Sequence, residues 1–173
     1  MVVQVRSVQA GALCSFALIL ACPWRGTRPI LEAGATVPVR PDGSPVPEPC
    51  PAEARQQMRV LGLRPGYAAD VEIDANQIER EPLTIFAGPV ESILTQPMLG
   101  LDGGSRLYGW IWTTERGVVI RYYRAQMRGG EVFPICAVAR RGGDELAGKP
   151  GKWPKSVELQ SSSALAFIVE EFI

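Results

Sequence analysis

The stretch RLYGWIWTTERGVVIRYYRAQMRGGEVFPICAVA, residues 106–139, decides the fold. Three apolar and aromatic segments, 106–114, 118–126 and 132–139, are separated by two turn signals. Glu115-Arg116-Gly117 fits a three-residue hairpin loop with glycine in the left-handed position, and Arg128-Gly129-Gly130 repeats the device. The expected result is a three-stranded antiparallel meander. Pro134 offers no N–H to a ladder, so the third strand should lie at an edge or carry a bulge. Tyr108, Trp110 and Trp112 alternate and share one face of the first strand, with Leu107 and Ile111 on the other. Two apolar faces mark a central strand covered twice. The aromatic row reads as the core side of a sandwich, and a stacking row for sugars or a peptide is the alternative.

Outward from the meander, period-two apolar patterns recur at 69–74, 83–87, 90–95, 156–160 and 165–172, bounded by Gly, Pro and Asp clusters. Ahead of them, residues 51–62 carry helix punctuation: Pro51 at the first turn, Glu53 near the positive end of the dipole, Gly62 just past the end. Ala54, Met58 and Leu61 form one apolar stripe on that helix. The expected class is mainly β, an antiparallel sandwich or barrel-like domain with one short N-terminal helix, over residues 50–173.

The chain before residue 50 has a different character. Residues 11–21, GALCSFALILA, are an apolar run of eleven, too short for the roughly 20 residues that cross a bilayer. They fit the apolar region of a signal peptide over 1–21. The run ends in Ile19-Leu20-Ala21-Cys22, which resembles a bacterial lipobox and makes Cys22 the expected lipidation site. Leu20 is bulkier than the residue usual in its slot. An ordinary cleaved signal or a buried N-terminal helix is the alternative. Several acyl chains would make the anchor firm where one would be marginal. Pro23 in place of an inner-membrane retention Asp points to the outer membrane. Residues 22–49 then hold seven of the chain's 15 prolines and read as an extended tether, unstructured or with a short strand around 36–39.

Composition excludes much. Across 173 residues, 18 Lys and Arg balance 18 Asp and Glu, which disfavours a nucleic-acid partner. The absence of histidine removes Ser-His-Asp and Cys-His catalysis and the commonest metal ligand. With Cys14 in the leader and Cys22 acylated, Cys50 and Cys136 remain. In an exported chain they read as a disulfide; two free buried thiols, or a poor metal site, are the alternatives. Gly143 to Lys149 follows a phosphate-loop pattern, but Pro150 stands where Ser or Thr would hold magnesium. A surface loop is expected there, and no cofactor. The carboxylate neighbours Glu79/Glu81, Asp144/Glu145 and Glu170/Glu171 read as solvated charges. Arg140, Arg141, Lys149, Lys152 and Lys155 make the loop 140–155 basic, a candidate binding surface for anionic headgroups or an acidic partner, or else a mobile solvated loop.

The order of parts resembles a group of small myxobacterial lipoproteins that accompany serine/threonine kinase genes, some carrying the kinase name by association. The shared elements are the lipobox and proline tether, Cys50-Pro51 opening a short helix, and Leu107-Tyr-Gly-Trp-Ile-Trp. They continue with Arg121-Tyr-Tyr-Arg-Ala, Phe133-Pro-Ile-Cys136 and a Lys-Pro-Gly loop before a final apolar strand. The resemblance implies an extracytoplasmic β domain and transfers no catalytic residue. The expected role is a lipid-anchored envelope module that binds a protein or cell-wall partner through an edge strand or the basic loop. A small hydrolase using carboxylates or serine, and a regulatory partner of a kinase, are the alternatives.

Overall fold

The computed structural model describes residues 34–76, 82–142 and 145–173. The expected signal peptide, lipobox and Cys22 lie outside them, as do Asp144, Glu79 and Glu81. The elements in chain order are β1 (Glu48–Pro49), α1 (Ala52–Val60), β2 (Ala68–Glu72), β3 (Leu83–Phe86), β4 (Gly88–Leu94), β5 (Arg106–Thr113) and β6 (Gly117–Gln126). They continue with β7 (Val132–Arg140), β8 (Leu146–Ala147), β9 (Lys149–Pro150), β10 (Ser156–Leu159), β11 (Ser163–Ile168) and β12 (Glu171–Phe172).

Strands β2, β4, β5, β6, β7 and β11 pair in that order, and β11 pairs back onto β2. All six pairings are antiparallel, so the sheet closes into a barrel and leaves no free edge. Cross-strand partners share a face. Ser92↔Leu107↔Ala125 and Ile111↔Ile120 therefore point one way, into the barrel, and all are buried. Tyr122 joins them opposite Gly109, and its hydroxyl donates to Ser92 Oγ at 2.9 Å. Glycine is required at position 109, where an added Cβ would lie 2.0 Å from the Arg121 carbonyl oxygen.

The meander forms as expected, and Pro134 sits where the β6–β7 register shifts, in the half of β7 that β11 does not reach. The bulge accommodates the missing donor. Two details differ from the sequence reading. Gly117 has φ 157, far from the left-handed well yet still a positive angle that L side chains rarely adopt, and the Leu146 carbonyl oxygen 2.2 Å from the Cβ position excludes a side chain as well. Gly130, in the second turn, is left-handed at φ 86. The aromatic row lies on the barrel's outer side rather than its inner one, yet Tyr108 and Trp112 are buried there, so the strand is covered on both faces as expected. Trp110 pairs with Arg121 and Trp112 with Val119 on the outer barrel face, opposite the Leu107 and Ile111 side.

The N-terminal segment covers that outer face. Gly34 packs against Trp110 and Trp112, and residues 39–45 form a small hairpin through the Val39↔Pro45 bridge. β1 then pairs with β12. The expectation of a free proline-rich tether over 22–49 is thus corrected for its described part: 34–49 lies on the barrel. Proline prevents a long strand here, but the Val39↔Pro45 bridge, the short β1–β12 pairing and the side chain of Arg121 give the segment its partners.

Helix α1 packs outside β7, burying Ala54 and Met58. It ends in paired reversals, Gly62 N–H to the Arg59 carbonyl and Leu63 N–H to the Met58 carbonyl, with Gly62 left-handed at φ 71. Cys50, just before the helix, is bonded to Cys136 on β7, their Cα atoms 5.9 Å apart. The disulfide staples helix to barrel.

Candidate functional site

A second, three-stranded sheet, β3–β10–β9, stands beside the barrel and packs against β5 and β6. Its inner face is apolar: Leu83 pairs with Leu159 and Ile85 with Val157, and all four are buried. The opposite face carries Thr84, Phe86, Ser156, Glu158 and Lys149. Between β9 and β10 the chain turns through Gly151-Lys152-Trp153-Pro154-Lys155.

Ser156 builds this turn. Its hydroxyl donates to the Trp153 carbonyl at 2.7 Å and accepts from the Trp153 N–H at 3.2 Å. Its own N–H reaches the same carbonyl, and its carbonyl accepts from Gly151 N–H at 2.9 Å. An added Cβ on Gly151 would sit 2.2 Å from Ser156 Oγ, so glycine is required. Lys155 closes the turn in the left-handed conformation, φ 58. The backbone is fixed, yet the indole of Trp153 is 58% exposed and Lys152 Nζ lies 5.7 Å from its ring centre. Phe86, the cross-strand partner of Ser156, is 52% exposed at the same end of the sheet. The tip therefore presents two aromatic rings among Lys149, Lys152 and Lys155, all exposed.

The five basic residues expected to act together divide. Lys149, Lys152 and Lys155 belong to the hairpin; Arg140 ends β7, and Arg141 donates to the Ser161 and Ser163 carbonyls at 3.2 and 2.8 Å. Arg141 thereby pins the β10–β11 turn. It meets the lysines only across a cleft of about 250 Å³ shared with Lys149 and Glu158. Among the described residues of 140–155, β8, β9 and the turn between β9 and β10 give the segment regular structure, and Lys149 lies in a ladder opposite Glu158 rather than at the start of a helix. That placement gives it none of the phosphate-cradling N–H groups a phosphate loop needs. Trp153 and Phe86 were not singled out from sequence. A tryptophan between two lysines in a Gly- and Pro-bounded loop was the available signal.

A cleft of about 250 Å³ between the 40–44 turn and the β5–β6 turn brings Asp42, Glu115 and Glu145 together with Arg40 and Arg116. Ser44 donates from its hydroxyl (2.6 Å) and its N–H (2.9 Å) to Asp42, holding that carboxyl below the usual range. A general acid needs the opposite shift. Among the described residues no group of three or more Cys, Asp or Glu side chains is placed to hold a metal ion. No helix among them is long and apolar enough to cross a membrane. No family model matches the chain, and no curated protein matches it.

Proposed function

We propose that the chain is an exported, lipid-anchored envelope protein, acylated at Cys22, whose barrel docks through the Lys149–Ser156 hairpin onto an anionic partner. The observation that carries the docking is Trp153. A large apolar ring held outward by a fixed turn, among three lysines, is the composition of a recognition surface rather than of a solvated loop. The Cys50–Cys136 bond supports export, since disulfides persist in oxidising compartments. The lipobox resemblance at Ile19 to Cys22 supports the anchor. The bonds from Ser44 that hold the Asp42 carboxyl below its usual range disfavour it as a general acid, which weighs against the hydrolase alternative.

Photocrosslinking in intact cells tests the docking. A photoreactive residue at 153 should form adducts with lipid or protein of the envelope. The same residue at the exposed position of Val60, on α1, should not. Equal adduct formation at both positions would contradict the proposal.

A further inference from the structure

We infer that the partner of the Lys149–Ser156 hairpin is the anionic phospholipid surface itself, with Trp153 and Phe86 seated at the interface and the lysines among the headgroups. The bilayer's location rests on the anchoring at Cys22 proposed above; the affinity does not. Trp153 and Lys152 at the apex are exposed and line neither of the clefts that Lys149 borders, so the apex suits a broad surface better than a small ligand. Tryptophan and lysine are the pair favoured at the boundary between headgroups and acyl chains. Lysines near an anionic leaflet each add attraction that falls away within a Debye length. Glu158 stands opposite Lys149 on the same sheet, and Asp42 and Glu115 line the cleft that Lys149 and Lys155 border, which leaves Lys152 beside Trp153 as the main charge of the apex.

Chain length agrees. Pro41, Asp42 and Gly43 share a cleft of about 360 Å³ with Lys149, Pro150 and Lys155, so the N-terminal segment meets the barrel beside the hairpin. Twelve further residues link Gly34 to Cys22, a reach of at most about 40 Å. The full tether, had 34–49 been free, would have allowed roughly twice that. An acylated Cys22 would thus keep the barrel, and the hairpin beside residues 41–43, within about 40 Å of the bilayer.

The test uses the full chain carrying Cys22→Ser, mixed with vesicles of phosphatidylcholine alone or with about one-third phosphatidylglycerol. The apolar leader is common to every sample, so differences between vesicles and between variants carry the result. Binding to the anionic vesicles should be roughly ten- to a hundredfold tighter than to the neutral ones, and should weaken with salt. The K149Q/K152Q/K155Q triple variant should lose that preference, and F86A/W153A should bind weakly to both. Brominated acyl chains should quench emission that is missing in W153F. Equal binding to both vesicles, or variants that bind like the parent with circular dichroism unchanged, would overturn the inference. So would tip-dependent crosslinking to an envelope protein without any vesicle binding, which would assign the hairpin to a protein and leave the docking proposal standing.

Discussion

Arg121 and Glu48, 73 positions apart, meet at 3.3 Å on the outer face of the barrel, with the guanidinium fully buried and the carboxylate about one-third exposed. The same guanidinium donates to the carbonyls of Val46 (3.0 Å), Pro45 (3.4 Å) and Phe172 (3.5 Å). It lies 5.5 Å from the Trp112 ring centre and 5.2 Å from that of Phe172. Tyr123 also donates to Glu48, at 2.7 Å. One side chain on β6 thus holds the N-terminal segment and the last strand against the barrel, supplying donors to carbonyls that a proline-rich stretch cannot satisfy by a regular ladder.

Removing that side chain should be costly. Arg121→Ala is expected to lower unfolding free energy by about 3–5 kcal/mol, because buried carbonyls lose their donors and a cavity opens between Trp112 and Phe172. Arg121→Met should cost less, since it keeps volume and removes the buried charge. Glu48→Gln should cost least, its carboxylate being partly hydrated. Urea unfolding checks the order, and limited proteolysis should find cleavage around 45–49 enhanced in the alanine variant.

The disulfide should matter by closing a loop of 86 sequence steps. Loop entropy predicts about 4–5 kcal/mol and common experience about 2–4. The double variant Cys50→Ser, Cys136→Ser should therefore melt roughly 6–12 °C lower. An unchanged melting temperature would mean that the packing of Ala54 and Met58 alone holds the helix.

Tyr122, buried, and Tyr123, half-buried, set the alkaline limit. Burial raises the Tyr122 hydroxyl well above its ordinary value of 10.0, against the lowering effect of Ser92. Burial, then the bond and charge of Glu48, raise Tyr123 in the same direction. The folded state holds these protons more tightly than the unfolded chain. The stability they contribute is complete below about pH 10 and is lost as pH climbs toward the folded values. Tyr122→Phe and Tyr123→Phe should each flatten the fall of stability above pH 10, measured by urea unfolding across the range.

Gly109 is expected to tolerate no side chain. Gly109→Ala would place a methyl 2.0 Å from the Arg121 carbonyl and force β5 from β6 at the register shift. A loss of about 1–3 kcal/mol or more is expected, read as a lower urea midpoint.

Much of the fold was legible. The meander, the flanking strands and α1 follow from period-two and period-four patterns with glycine turns, and an even cysteine pair pointed to the staple. Closure into a barrel was not legible, because the β11–β2 pairing joins segments whose alternation would serve a sandwich equally well. Nor was the role of Tyr108, Trp110 and Trp112: alternation says that they share a face, not which face is inside. The packing of 34–49 was hidden because a proline-rich stretch reads as open, and its partner, Arg121, lies far away in sequence. At the candidate site the lysines were legible as charge. Trp153 was overlooked because a single exposed ring becomes informative only when Ser156 and Gly151 are seen to fix it.

The proposed function places this barrel at a membrane through acylation of Cys22. Metabolic labelling with palmitate in a bacterial host tests it most directly. The parent chain should incorporate label into a processed, membrane-associated form, and Cys22→Ala should accumulate as an unlabelled precursor. Label retained by the Cys22→Ala chain, or absent from the parent, would contradict the account.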